Sequence, residues 1–358
     1  MNGFFSRAFA ALTMVSLFSG AAMAAPEAGS VPEVRSIDEG TFIDVNGTQQ
    51  WITIRGQDLD NPVLLILHGG PGIGLTNIAP HFAEWERHYT VVQWDQPRSG
   101  ATALKNFNQP SGPLTVKRFT EDAISVAEHV RQRLDKTKMI VLGNSWGALI
   151  GLHIAKDRPD LVSAYVGTSQ PVGGDEGRVG YDLALAAARA RNDAKAVAAL
   201  EQVGPPPYAR FDQFIVRQQY TNPPGLPASP AEEAASAAMF QWFMTPPPAN
   251  ARYIAPIGMP EGFNPESNFL STMQEMFNIY QVFDARKVGL SFDVPIFIFQ
   301  GEMDINTPVS LARDYLNEIK APAKGFATIP GAGHNTIAFA PELLALLNEH
   351  VRPVVRGQ

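Results

Sequence analysis

The chain has no cysteine among its 358 residues. That single absence excludes disulfide bonds, thiolate catalysis and cysteine-ligated metals. Charge is sparse as well: charged residues make up 18%, and 28 Lys and Arg stand against 35 Asp and Glu for a formal net charge of −7. The basic residues are scattered, so the footprint of nucleic-acid binding is missing and no nucleic-acid partner is expected. No internal repeat is visible. No apolar run reaches the ~20 residues that span a bilayer, and no cysteine is present for lipid attachment, so no stable membrane anchor is expected. What the chain has in quantity is apolar side chain, at 45% of residues. That is ample for a large buried core, and the length suits one large domain or a core with an inserted subdomain.

The amino terminus reads as a separate object. Arg7 supplies a positive start, Ala8 to Phe18 an apolar run, and Ala22-Met23-Ala24 the small-x-small pattern of a cleavage site. A signal peptide over residues 1–24 is expected, cut near Ala24, in preference to a buried helix or a membrane anchor. Losing Arg7 from the 28 basic residues leaves 27 against 35 acidic ones, a net charge of −8. The mature protein is then periplasmic or secreted, and without disulfides its stability must come from its core.

Along the remaining chain, Thr41–Val45 and Gln50–Ile54 flank Asn46-Gly47, a strong hairpin signal. Val63–Leu67, Thr90–Trp94, Met139–Leu142, Leu161–Gly167, Pro295–Phe299 and Gly325–Ile329 read as further strands. Between them, helices are expected over Asn77–His88, Thr115–Asp135, Pro308–Ile319 and Thr336–Val351. Apolar residues at helical spacing (Phe119, Ala123, Val126, Ala127, Val130, Leu134) mark the second of these most clearly. Strand alternating with helix predicts an α/β protein, its sheet mostly parallel but mixed through the first hairpin and covered on both faces. The rhythm fails from Gln170 to about Leu290. That stretch has an alanine-rich helical segment (Tyr181–Leu200) and proline clusters at 205–207, 223–224 and 246–248. The expected organisation is a core over 25–169 and 291–358, with a helical cap inserted at 170–290.

The chemistry is concentrated in Gly143-Asn144-Ser145-Trp146-Gly147, a G-x-S-x-G sequence between the Met139–Leu142 strand and a helix beginning at Ala148. In that context the pattern marks a nucleophile elbow, a turn so tight that its serine takes a strained backbone and its flanks must be glycine. A serine nucleophile needs a base, and the base a carboxylate that holds its tautomer. The expected chain order is Ser, acid, His, each on a loop after a strand. Asp304 follows the Pro295–Phe299 strand and His334 follows Gly325–Ile329, so Ser145, Asp304 and His334 are the candidate catalytic residues. Glu302 is a rival for the acid, two residues from Asp304. Of seven histidines, His334 alone sits in a glycine-flanked loop after a late strand. His68-Gly69-Gly70-Pro71-Gly72 follows the Val63–Leu67 strand, where half of an oxyanion hole belongs. The backbone N–H groups of Gly70 and Trp146 are the expected donors, and His68 is expected to order the loop. The run Gly69–Gly74 lacks G-x-G-x-x-G spacing and no Gly-Lys-Ser/Thr follows, so no phosphate or dinucleotide site is expected.

Taken together, His68-Gly69-Gly70-Pro71-Gly72, the loop Gln93–Gly100 and Gly143-Asn144-Ser145-Trp146-Gly147 resemble, in order and spacing, the proline iminopeptidase-like branch of the α/β-hydrolase superfamily. The resemblance runs from Thr41 to the C-terminus, most loosely over the cap. It implies the α/β-hydrolase fold with a helical cap, Ser145 as nucleophile, Asp304 as acid and His334 as base. It further implies hydrolysis of small amide or ester substrates with no cofactor and no metal; a small molecule or short peptide is the expected partner. Two positions depart from the branch: Asp95-Gln96-Pro97-Arg98 replaces Asp-Gln-Arg-Gly, and Asn144 stands where glycine is frequent. Asp95 and Arg98 are expected to brace their loop. Members of the branch recognise a free α-amino group through cap carboxylates. Glu232, Glu233, Glu275 and Asp284 are candidates without a distinguishing motif, and a solvated helix face accounts for each. Two apolar groups in the cap, Met273/Met276/Phe277/Tyr280/Phe283 and Phe240/Trp242/Phe243/Met244, are expected to pack or to wall a pocket. Peptide and ester substrates both remain open, as does a non-catalytic ligand receptor of the same fold.

Overall fold

Along each central strand, neighbouring residues feed opposite sides of one sheet. In the computed structural model, which describes residues 35–109, 112–244 and 255–356, Val63, Leu65 and Leu67 join one apolar cluster while Leu64 and Ile66 join a second. Met139 and Val141 alternate with Ile140 and Leu142 in the same way, as do Ile296 and Ile298 with Phe297 and Phe299. A strand buried on both faces has no polar side, which is why these segments are unbroken apolar runs. The expected signal peptide lies outside the described residues. Among those described, no helix is long and apolar enough to cross a membrane.

The strands are β1 (Ile37–Val45), β2 (Thr48–Gly56), β3 (Val63–Leu67), β4 (Thr90–Trp94), β5 (Met139–Asn144), β6 (Val162–Thr168), β7 (Ile296–Gly301) and β8 (Lys324–Ile329). They form a single sheet in the order β1-β2-β4-β3-β5-β6-β7-β8. β1 and β2 are antiparallel to their neighbours, and every pairing from β4 through β8 is parallel. Asn46 and Gly47 close the first hairpin with φ of 49° and 82°, the doubly positive turn whose twist matches that of the strands. One face is covered by helices Val116–Leu134, Trp146–Asp157 and Val309–Glu318, the other by Thr76–Arg87 and the C-terminal helical segment. Thr115 caps Val116–Leu134 by accepting from the N–H of Arg118, and Asp135 ends it in a left-handed conformation.

Three expected helices differ in detail. Thr76–Arg87 is a 3-10 helix with a kink at Ile78, because Pro80 removes a donor from its first turns. Tyr181–Leu200 divides into Glu176–Ala190 and Ala194–Val203, separated by Asn192 at φ 56° and restarted by Asp193, which accepts from Ala196 N–H. The stretch from Thr336 breaks into Thr336–Ala338 and Ala340–Leu346, the second opened by Pro341, where proline's missing N–H costs nothing. Between β6 and β7 the chain is helical, through Glu176–Ala190, Ala194–Val203, Phe211–Thr221, Pro230–Met244, Pro265–Val282 and Ala285–Val288. The proline cluster at 246–248 lies outside the described residues.

Winding reverses between β3 and β5: the chain leaves β3 for β4 on one side and β5 for β6 on the other. Loops leaving such neighbours diverge and open a crevice at the carboxyl ends of the strands.

Candidate active site

Ser145 stands between β5 and helix Trp146–Asp157 with φ 51° and ψ −113°. Its N–H donates to the Thr168 carbonyl at the end of β6 (2.9 Å), pinning the turn to the next strand. The flanking glycines are required by contact. A Cβ on Gly147 would lie 1.9 Å from the Leu67 carbonyl oxygen, and one on Gly143 2.4 Å from Ala148 Cα. The helix therefore starts pressed against two strands, and only its serine projects.

The structure brings the three candidate catalytic residues together from the ends of β5, β7 and β8. His334 Nε2 lies 2.9 Å from Ser145 Oγ, and His334 Nδ1 lies 2.9 Å from Asp304 Oδ2. Asp304 is buried, and its Oδ1 accepts from the N–H groups of Asn306 and Thr307, both at 2.9 Å. Its Oδ2 also accepts from Thr307 Oγ1 at 2.6 Å. Four donors thus converge on one carboxylate, a set that matches the ionised form. Burial of the His334 ring works against its charged form, yet the facing Asp304 charge and hydrogen bond outweigh it and raise its pKa above the ordinary imidazole value. Glu302 is exposed and accepts from Gly331 N–H at 3.1 Å, so it braces the histidine loop rather than meeting the ring.

The loop after β3 runs beside the serine, where a Cβ on Gly69 would lie 3.5 Å from that of Ser145. Gly70 has φ 117°, a conformation that favours glycine. Tyr280 reaches down from helix Pro265–Val282 and donates its hydroxyl to the Gly70 carbonyl at 2.7 Å. Trp146 opens its helix, so its N–H has no partner within it and sits at the positive end of the helix dipole. Its indole Nε1 donates to Gln96 Oε1 at 3.0 Å. His68 is neutral: its Nδ1–H meets the Gly69 carbonyl (2.7 Å), its Nε2 accepts from Gln96 N–H (3.2 Å), and burial lowers its pKa to about 4. Asp95 accepts from Thr76 and Ala101, with burial raising its pKa to about 6. Arg98 instead reaches out of that loop to pair with Glu275 at 3.1 Å, joining the Gln93–Gly100 loop to the helical segment.

Ser145 and His334 open into a cavity of about 940 Å³ beneath the helices between β6 and β7. Its apolar wall includes Leu149, Phe214, Met239, Phe269, Met273 and Tyr280. Met276 is packed in the sheet core instead, and the side chains of Phe243 and Met244 lie outside the described residues. The four carboxylates left open by the sequence separate clearly. Glu275 is engaged by Arg98 and by Leu114 N–H, and Asp284 caps the helix that follows it. Glu233 is exposed at the cavity edge. Glu232 is not on a solvated face: it is 4% exposed, lines the cavity, and its Oε1 has no hydrogen-bond partner among the described residues. Burial raises its pKa, against the N–H groups of Gly333 and Asn335, which favour the charged form.

A further carboxylate, Glu176, also lines the cavity. Its Oε2 accepts from Val172 N–H (2.6 Å) and Gly173 N–H, and burial raises its pKa to about 7. Nothing in its local sequence distinguishes it from an ordinary acidic residue in a helix first turn; only the fold turns it inward. Among the described residues, no group of three His, Asp or Glu could hold a metal ion.

An eight-stranded, mostly parallel sheet with these loops at its carboxyl edge has the architecture of the α/β-hydrolase fold. The family profile described as alpha/beta hydrolase fold matches residues 62–199. The probable aminopeptidase YbaC of Bacillus subtilis is 27% identical over 329 residues, 90% of this chain and 99% of that protein. A proline iminopeptidase of Xylella fastidiosa is 30% identical over 135 residues, 38% of this chain and 40% of its own length. Among solved structures, a proline iminopeptidase-related protein from Thermus thermophilus superposes with a TM-score of 0.58 at 18% identity, covering 89% of this chain and 99% of that one. Over residues 62–199 the chain is similar to the alpha/beta hydrolase fold family, and the relatives it resembles include proteins named as an aminopeptidase and a proline iminopeptidase.

Proposed function

We propose that this protein is a cofactor-independent serine hydrolase that works through an acyl-enzyme as an aminopeptidase of small peptides or amides. The observation that carries the reading is the continuous contact Ser145 Oγ–His334 Nε2, His334 Nδ1–Asp304 Oδ2, at 2.9 Å in each step. In this mechanism Ser145 Oγ attacks the substrate carbonyl as His334 Nε2 takes its proton, and Asp304 holds the imidazolium that forms. The N–H groups of Gly70 and Trp146 receive the oxyanion. The leaving amine departs with the proton from His334, and water, deprotonated by the same ring, releases the acyl group.

Glu232 supports the aminopeptidase form. A buried carboxylate oxygen without a partner is costly, and a substrate α-ammonium entering the cavity would supply one. Glu176 offers a second carboxylate on the same cavity. The apolar wall favours one competing reading, hydrolysis of carboxylic esters, whose acyl chain it would accept.

Proline arylamide and short-chain aryl ester assayed side by side separate the two. The aminopeptidase predicts rapid arylamide cleavage that is lost on blocking the amine. Glu232→Gln should then raise KM for the arylamide and leave the ester unchanged. Ester cleavage alone, indifferent to Glu232, would give the site to an esterase.

The raised His334 pKa sets the acid limb. Only the neutral ring can accept the serine proton, so activity should fall as pH drops through that pKa. The midpoint of kcat/KM for a neutral ester should lie above the ~6.5 of free imidazole. A midpoint clearly below that value would contradict the coupling to Asp304.

A further inference from the structure

His334 is held by its ring at two points, and its backbone is held by a third group of contacts that the chemistry above does not use. Ser169 Oγ lies 2.6 Å from the His334 carbonyl oxygen and 2.8 Å from Thr336 Oγ1. Thr336 Oγ1 in turn lies 3.1 Å from Asn144 Nδ2, and the same amide nitrogen reaches Thr168 Oγ1 at 3.0 Å. Ser169 and Thr336 are fully buried and Asn144 nearly so. Ser169 has φ 47°, an uncommon conformation for a side-chain-bearing residue, adopted immediately after the strand that anchors Ser145 N–H.

Donor counting gives this chain one direction. An amide nitrogen only donates and a carbonyl oxygen only accepts, while each hydroxyl has a single proton. The Ser169 proton must go to the His334 carbonyl. Thr336 must then give its own proton to Ser169, and Asn144 must give one to Thr336. The run is Asn144 → Thr336 → Ser169 → His334 carbonyl, with every donor aligned so that each bond strengthens the next.

We propose that Asn144, Thr336 and Ser169 form a positioning relay that fixes the catalytic histidine to the nucleophile elbow. The inference rests on the serine-hydrolase reading. Asn144 is the residue before Ser145, Thr168 ends the strand and accepts the Ser145 N–H, and Ser169 follows it. The relay therefore references the base to the same two strands that hold the nucleophile. Asp304 orients the ring, and the relay sets the height of the backbone that carries it.

Thr336→Val is nearly isosteric and interrupts the relay at its middle; Thr336→Ser preserves it. Thr336→Val should lower kcat about 10- to 100-fold, the penalty expected of a slightly misplaced base, with KM unchanged. The rate of fluorophosphonate labelling of Ser145 should drop by the same factor. Thr336→Ser should restore both to wild-type values. Ser169→Ala should reproduce the loss, and the Thr336→Val/Ser169→Ala double variant should add little, because both remove one device. Ser169→Ala also serves should Thr336→Val melt early. Wild-type kcat in Thr336→Val or Ser169→Ala overturns the relay, as do equal losses in Thr336→Ser and Thr336→Val or multiplying losses in the double variant. A wild-type protein that neither turns over arylamide or ester nor takes the label takes down the serine-hydrolase reading itself.

Discussion

Ser145→Ala is expected to lose turnover by about 10⁵- to 10⁶-fold, the scale seen when a triad nucleophile is removed elsewhere. The Oγ makes its contact with His334 Nε2 at 2.9 Å, and alanine keeps the Cβ and the N–H bond to Thr168. Among the described residues, no other side-chain hydroxyl bonds the same ring nitrogen, Thr307 Oγ1 facing Nδ1 instead. The melting temperature should stay close to wild type, since the strained turn is fixed by the steric fit of Gly143 and Gly147 and not by the hydroxyl. Fluorophosphonate should label the parent and not the variant. Activity within tenfold of wild type would remove Ser145 from the nucleophile's role.

Asp304→Asn should lower kcat by about 10⁴-fold while leaving the fold intact, because it imposes the wrong tautomer. The site dictates how the amide must turn. Two backbone N–H groups, from Asn306 and Thr307, point at the Oδ1 position, so the new carbonyl oxygen belongs there. The NH2 group then faces His334 Nδ1, which must accept. The ring proton moves to Nε2, where it faces Ser145 and blocks the nitrogen that should act as base. Stopped kinetics with an activated ester would show the loss in the acylation step. A fall of less than tenfold would mean that Asp304 does not set the tautomer.

Much of this site is legible in the chain because its parts are local. Gly143 to Gly147 read as a tight turn where a strand meets a helix; the steric reason is local at Gly143, which faces Ala148, while at Gly147 it is the Leu67 carbonyl of the neighbouring strand. Asp304 and His334 are legible by position, each on a short loop after an apolar run. The choice of Asp304 over Glu302 is a different matter. Both follow β7, and the structure separates them because Asp304 turns inward to Asn306 and Thr307 while Glu302 reaches outward to Gly331.

The helical segment is where the sequence says least. Glu232 carries the same signal as Glu233, its neighbour in the same helix turn, yet one is buried at the cavity and the other is exposed. Periodicity reports that a face exists; it does not report which structure covers it. Met276 and Met273 likewise share one apolar stripe, and packing sends the first into the sheet core and the second to the cavity wall.

The sequence by itself determined the elements and the order of the chemistry: strand periodicity, the glycine-flanked serine, and an acid and a histidine following in turn. These are properties of contiguous residues, governed by backbone sterics and burial over a few positions. Tertiary structure alone decided which carboxylates enter the cavity, that Arg98 ties to Glu275, and that Asn144, Thr336 and Ser169 meet around the His334 carbonyl. Those side-chain contacts join residues 165 to 192 positions apart. The carboxyl ends of parallel strands bring such residues together, and no local pattern records which of them will touch.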